Sequence, residues 1–133
     1  MDVGVIPFVA IELPAIPGSA AIARHRTRAF AAAHGAGNEL LAAIDLAVTE
    51  AVANVARHAY PEPGPHGDVQ VLVDIENDEL ELVVLDEGRG FTTQPVRGLG
   101  VGLSVMRAVS DAFEIRDRPL GGVEVWMRFA LAG

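Results

Sequence analysis

From Leu41 to Ala59 an apolar residue recurs every three or four positions: Leu41, Ile44, Val48, Val52, Val55 and Ala59. At about 100° per residue these positions share one arc of roughly 100°, so the segment predicts a long amphipathic helix with a committed buried face. A chain holding such a helix must supply a second apolar layer to cover it. Glu50, Asn54 and Arg57 fall together in a stripe of about 60° outside this arc. They are expected at the rim of the core, where a cleft can open.

The covering layer is legible as short β runs. Phe8 to Leu13 alternates along a first strand that Pro14 and Pro17 end. Val69 to Ile75 and Leu80 to Leu85 are two more, and Glu76-Asn77-Asp78-Glu79 between them reads as a hairpin. Phe113 to Arg116 and Val123 to Leu131 close the set around the turn Arg118-Pro119-Leu120-Gly121-Gly122. Ser19 is the expected N-cap of a helix that runs to about His34 and stops at Gly35 and Gly37. Asn38 is the expected cap of the long helix, which Tyr60-Pro61-Glu62-Pro63-Gly64-Pro65 terminates. A third helix, Gly102 to Asp111, carries Leu103, Met106 and Val109, with Ala112 beyond, at helical spacing. The order β, α, α, β, β, α, β, β joins neighbours by hairpins instead of repeated crossovers. This predicts an α+β fold with one largely antiparallel sheet and helices on a single face.

Composition narrows the chemistry. The 133 residues, half of them apolar, predict one domain over positions 1–133, large enough for a core and too small for two. The formal charge of -8 argues against nucleic-acid and anionic-membrane partners, which need a basic face. All ten basic residues are arginine, so a P-loop lysine and a kinase β3 lysine are both excluded. The lack of cysteine excludes thiol catalysis and thiolate zinc sites. Met1 to Ala10 has no basic leader pattern and no run approaches a membrane span, so a soluble, cytoplasmic protein is expected.

Three stretches carry candidate chemistry. Asp86-Glu87-Gly88-Arg89-Gly90-Phe91 follows a strand. An aspartate there can accept from an amino group such as the adenine amine, while bare glycines let a flat ligand approach. Read alone, the segment is equally a strand ending in an acidic turn. Gly98-Leu99-Gly100-Val101-Gly102-Leu103 precedes a helix, where converging N–H groups and the helix dipole favour an anion. On its own it is also an ordinary flexible loop, and it comes too late, after a hairpin, to be a Rossmann fingerprint. Glu50 and Asn54 lie one helical turn apart. A neutral amide oxygen can ligate Mg²⁺ and a neighbouring carboxylate can take a hydroxyl proton, although an isolated pair also reads as a solvated polar flank. His58 reads as a cation at the helix C-terminus.

In combination these stretches resemble a known family. Thr49-Glu50-Ala51-Val52-Ala53-Asn54-Val55-Ala56-Arg57-His58-Ala59-Tyr60 is similar to the N box of the ATPase superfamily shared by gyrase and histidine kinases. Asp86 to Phe91 and Gly98 to Leu103 are similar to its two glycine boxes. The short chain and the brief spacing between those boxes resemble the anti-sigma regulatory factors that act as serine/threonine protein kinases. The resemblance implies a Bergerat-type two-layer sandwich with a mixed, mostly antiparallel sheet. It implies ATP and Mg²⁺ as cofactors, with Asn54 as metal ligand and Glu50 as general base. Asp86 would bind adenine, Gly88 and Gly90 would lie beside base and ribose, and Gly98, Gly100 and Gly102 would wrap the phosphates. Arg97 is placed at the γ-phosphate by proximity alone. The implied partners are a sigma factor and an anti-anti-sigma antagonist of the STAS type, and a homodimer is implied too. Arg24, Arg26 and Arg28 on the first helix read either as part of such a surface or as a solvated face.

Two departures modify the expectation. Family members often carry threonine after the last glycine pair, where this chain has Val123, which implies weaker or differently solvated adenine binding. The segment Thr92 to Arg97 is short, which implies little lid and fast nucleotide exchange. Two other readings compete with the kinase. One is a nucleotide-binding module that recognises partners without transferring phosphate. The other is a detached sensor-kinase domain, which would need a phosphoacceptor histidine that neither His25 nor His34 resembles.

Overall fold

The structure is a computed structural model, and it describes residues 6–60, 67–88 and 100–131. Among these described residues, five strands and three helices follow in the order β1 (Phe8–Pro14), α1 (Ser19–Ala33), α2 (Asn38–His58), β2 (Asp68–Glu76), β3 (Glu79–Asp86), α3 (Gly100–Val109), β4 (Ala112–Asp117) and β5 (Val123–Ala130). The expected order is therefore met. Strands lie in the spatial order β1-β2-β3-β5-β4. Where a mixed, mostly antiparallel sheet was expected, each described pairing is antiparallel.

Alternation decides which face is covered. Val69, Val71, Val73, Leu80, Leu82, Val84, Val125, Met127 and Phe129 are all buried, whereas their chain neighbours Gln70, Leu72 and Glu81 are not. Register brings the buried ones side by side: Leu82 opposite Val73 and Met127, and Leu80 opposite Phe129 on one side and the partly buried Ile75 on the other. Each such side chain taken from water contributes about 1.5–3 kcal/mol. The six apolar positions that marked the long helix are all buried against this face, from Ile44 at 0% exposure to Ala59 at 7%. α1 packs along α2, with Arg24 Nη1 donating to Thr49 Oγ1 over 3.2 Å and Arg28 paired with Asp45.

Local chemistry differs from expectation at both caps. The N-cap of α1 is Gly18, and Ser19 Oγ instead donates to the Pro14 carbonyl at 2.6 Å, tying the helix start to the end of β1. The N-cap of α2 is Gly37, whose extended ψ of 176° turns the chain, so Asn38 is already helical. In the hairpin, Asn77 and Asp78 both take positive φ, 55° and 60°, leaving a two-residue turn whose twist matches the strands. α3 begins at Gly100, two residues before expectation, and Ala112 belongs to β4.

Candidate nucleotide site

α2 supplies one end of the site. Asn54 is only 9% exposed, and among the described residues its Oδ1 has no hydrogen-bond partner. A buried amide oxygen left without a donor is costly unless something else satisfies it. Glu50, one turn earlier, has a side chain 30% exposed and 3.9 Å from Arg57 Nη2, a loose ion pair on the solvent side. Facing both is Gly102 in the first turn of α3. A Cβ there would stand 2.8 Å from Asn54 Nδ2, 3.1 Å from Glu50 Oε2 and 3.2 Å from Asn54 Oδ1. Glycine is therefore what lets the start of α3 reach the carboxylate and the amide.

The unpartnered Oδ1 suits a divalent cation as ligand. No group of three or more His, Cys, Asp or Glu among the described residues is arranged to hold a metal. A divalent cation held at Asn54 would therefore have to draw its remaining ligands from a bound nucleotide and water.

β3 supplies the other end. Its inward residues are Leu80, Leu82, Val84 and finally Asp86, so the carboxylate occupies the last position of an otherwise apolar column. Asp86 is 5% exposed. Burial raises its carboxyl above the ordinary 3.8, the N–H groups of Gly88 and Val123 and the Arg118 guanidinium pull it back, and Asp117 raises it. Gly88 N–H donates to Asp86 Oδ1 at 2.8 Å and Val123 N–H does so at 3.3 Å. Arg118 Nη1 donates to the Asp86 carbonyl at 2.8 Å.

Close approach again demands glycine. A Cβ on Gly88 would lie 2.1 Å from the Ala59 carbonyl oxygen, and one on Gly122 would lie 2.0 Å from that of Asp86. Gly121 and Gly122 also take φ of +108° and +96°, which L side chains rarely adopt. Tyr60 completes the joint between the two ends. Its hydroxyl donates to the Asp68 carbonyl at 2.8 Å and accepts from Glu87 N–H at 3.0 Å.

The expected site residues thus gather as two groups along α2: Glu50, Asn54 and Gly102, and Asp86 with Gly88. Gly100 is the first residue of α3. Gly90, Arg97, Gly98 and the segment Thr92 to Arg97 lie outside the described residues. Tyr60 and Arg118 were missed as site residues because the sequence presents them as the end of a helix and the start of a turn. The Val123 backbone was missed too, because hydrogen bonding by an N–H leaves no mark on residue type.

Known proteins resemble the chain along most of its length. The model of the histidine kinase-like ATPase domain family matches residues 13–129. The anti-sigma F factor of Pasteuria penetrans is 31% identical, covering 88% of this chain and 86% of that protein. The serine-protein kinase RsbW of Bacillus subtilis is 28% identical, covering 95% and 87%. In a Mycobacterium tuberculosis crystal structure of RsbU and RsbW domains, 93% of this chain superimposes on 32% of the other with a TM-score of 0.74 and 24% identity, a likeness of fold. The chain belongs to the histidine kinase-like ATPase domain family.

Proposed function

We propose that this chain is an ATP-dependent serine/threonine protein kinase and anti-sigma factor that acts by partner switching in the cytoplasm. It would hold a sigma factor and phosphorylate a STAS-type antagonist. One observation carries the reading: Glu50 and the unpartnered, buried Asn54 meet at Gly102, so a proton acceptor and a neutral cation ligand share one volume. The names of the relatives, anti-sigma F factor and serine-protein kinase, agree with it.

Each residue has a part. Asp86 Oδ1 accepts from two N–H groups, and Oδ2 would accept from the adenine amine. Gly88 packs against the Ala59 carbonyl while its N–H holds Asp86; Gly90 would lie beside the base, and Gly98, Gly100, Gly102 and Arg97 would serve the phosphates. Asn54 would hold a magnesium ion, whose charge would offset that of the polyphosphate. Glu50 takes the proton of a serine or threonine hydroxyl as that oxygen bonds to the terminal phosphorus and the bond to the ADP oxygen breaks.

The test is labelling of purified STAS-domain proteins from the same genome with radioactive ATP. Transfer to a serine or threonine of one of them, lost in Glu50→Ala, is the expected result. ATP binding with no labelled acceptor would replace the kinase by a nucleotide-dependent binding module.

A further inference from the structure

We infer that the outer row of α2 formed by Leu46, Ala53 and Arg57, beside Glu50, is the docking face for the acceptor segment of the phosphorylated protein. The inference rests on the kinase reading and names the chemistry that the acceptor must bring. On the helical wheel Asn54 stands about 40° to one side of Glu50, whereas Leu46, Ala53 and Arg57 stand about 20–60° to the other. Burial follows the same division: Asn54 is 9% exposed and Leu46 is 50% exposed. Nucleotide chemistry therefore reaches Glu50 from the core side, and a protein hydroxyl must reach it across the outer row.

An acceptor that does so lies on defined neighbours. Leu46 is about 6 Å from Glu50 along the helix, close to two residues of an extended chain. It is a large apolar side chain left half in water one turn from the reactive carboxylate. On the other flank, Arg57 Nε donates to the Ala53 carbonyl at 3.3 Å, and Nη2 stays 3.9 Å from Glu50, beyond hydrogen-bond length. The side chain is 54% exposed, so the outer edge of its fork can take a carboxylate without breaking a good bond. On a chain of net charge -8, that cation selects against the basic flanks that the rest of the surface would attract. The acceptor therefore carries an apolar residue about two positions from its hydroxyl on one side and an acidic residue within two positions on the other.

The probe is the STAS-domain protein labelled by wild-type chain, with steady-state rates measured against its concentration at saturating ATP. Leu46→Asp and Arg57→Glu should each raise the acceptor KM by about 10-fold, the scale of losing one central contact, with a much smaller change in kcat. Leu72→Asp, on the uncovered sheet face, should leave KM where it was. Changing the acidic residue near the acceptor serine to lysine should restore the KM of Arg57→Glu and worsen that of wild type. Calorimetric ATP affinity of each variant reports that its pocket is intact, and Leu46→Ala gives the same direction with less disturbance. An acceptor KM within twofold of wild type in Leu46→Asp and Arg57→Glu, with labelling intact, overturns the docking face and spares the kinase. If the wild-type chain labels no acceptor, both fall.

Discussion

Val123 N–H donates to Asp86 Oδ1 across 3.3 Å, so the main chain of β5 supports this buried carboxylate directly. A side-chain hydroxyl at position 123 is not needed for that contact. Val123→Thr should accordingly change ATP affinity by less than about threefold, whereas Asp86→Asn should weaken it by at least about 10-fold through loss of a charge-assisted bond. Titration calorimetry of the two variants checks both, and the reverse ranking would remove Asp86 from adenine recognition.

Gly102→Ala isolates the contact between α3 and α2. Alanine is the better helix former by about 1 kcal/mol, yet its Cβ would press on Asn54 Nδ2 at 2.8 Å and Glu50 Oε2 at 3.1 Å. Phosphotransfer should fall by more than about 10-fold, since misplacing a reacting group is costly. The melting temperature should stay within a few degrees of wild type. Activity near wild type would show that the two side chains yield freely.

Asn54→Ala should abolish the magnesium dependence of nucleotide binding. Removing the unpartnered Oδ1 takes away the amide ligand and leaves weaker, metal-independent binding. Affinity measured with magnesium and with chelator should then coincide, and a persisting magnesium effect would place the ion elsewhere.

Acidity should act on the empty and the loaded protein in opposite senses. Burial raises the Asp86 carboxyl above its unfolded value, so its contribution to stability is present at low pH and is lost as pH rises through the folded pKa. Nucleotide binding instead needs the carboxylate and weakens as pH falls through the same range. Denaturant midpoints of the empty protein and ATP affinities, followed from about pH 4 to 7, should diverge in this way for wild type. Neither trend should survive in Asp86→Asn.

Tyr60→Phe removes a hydroxyl that joins Asp68 to Glu87. The loss should destabilise the fold by about 1–2 kcal/mol and loosen the loop that follows Asp86. Chemical denaturation measures the first. Faster amide exchange at Glu87 and Gly88 reports the second.

The layers of this fold were legible because burial leaves a period in sequence. The 3.6-residue repeat from Leu41 to Ala59 and the alternation through β2 and β3 are imprints of one shared interface. Glu50, Asn54 and Asp86 stood out as candidates only through the combined resemblance of three stretches, since each stretch alone also read as a solvated flank or an acidic turn. Caps were less legible. Ser19 and Asn38 carry the right side chains for N-caps, yet Gly18 and Gly37 hold those places. A Pro14 carbonyl needing a donor and a turn needing an extended residue decided the outcome. Contacts across the sheet, such as Arg118 on the Asp86 carbonyl at 32 positions' separation, have no local signature at all.

Strand order sets a timetable for biosynthesis. β5 is inserted between β3 and β4, both of which leave the ribosome before it. Until Val123–Ala130 emerges, β3 and β4 have no common neighbour and Asp86 lacks both Val123 N–H and the inserted strand's register. The helix bearing Glu50 and Asn54 is by then long made. A ligand that bound through Asp86 would therefore find that carboxylate supported only once the sheet's penultimate place is filled.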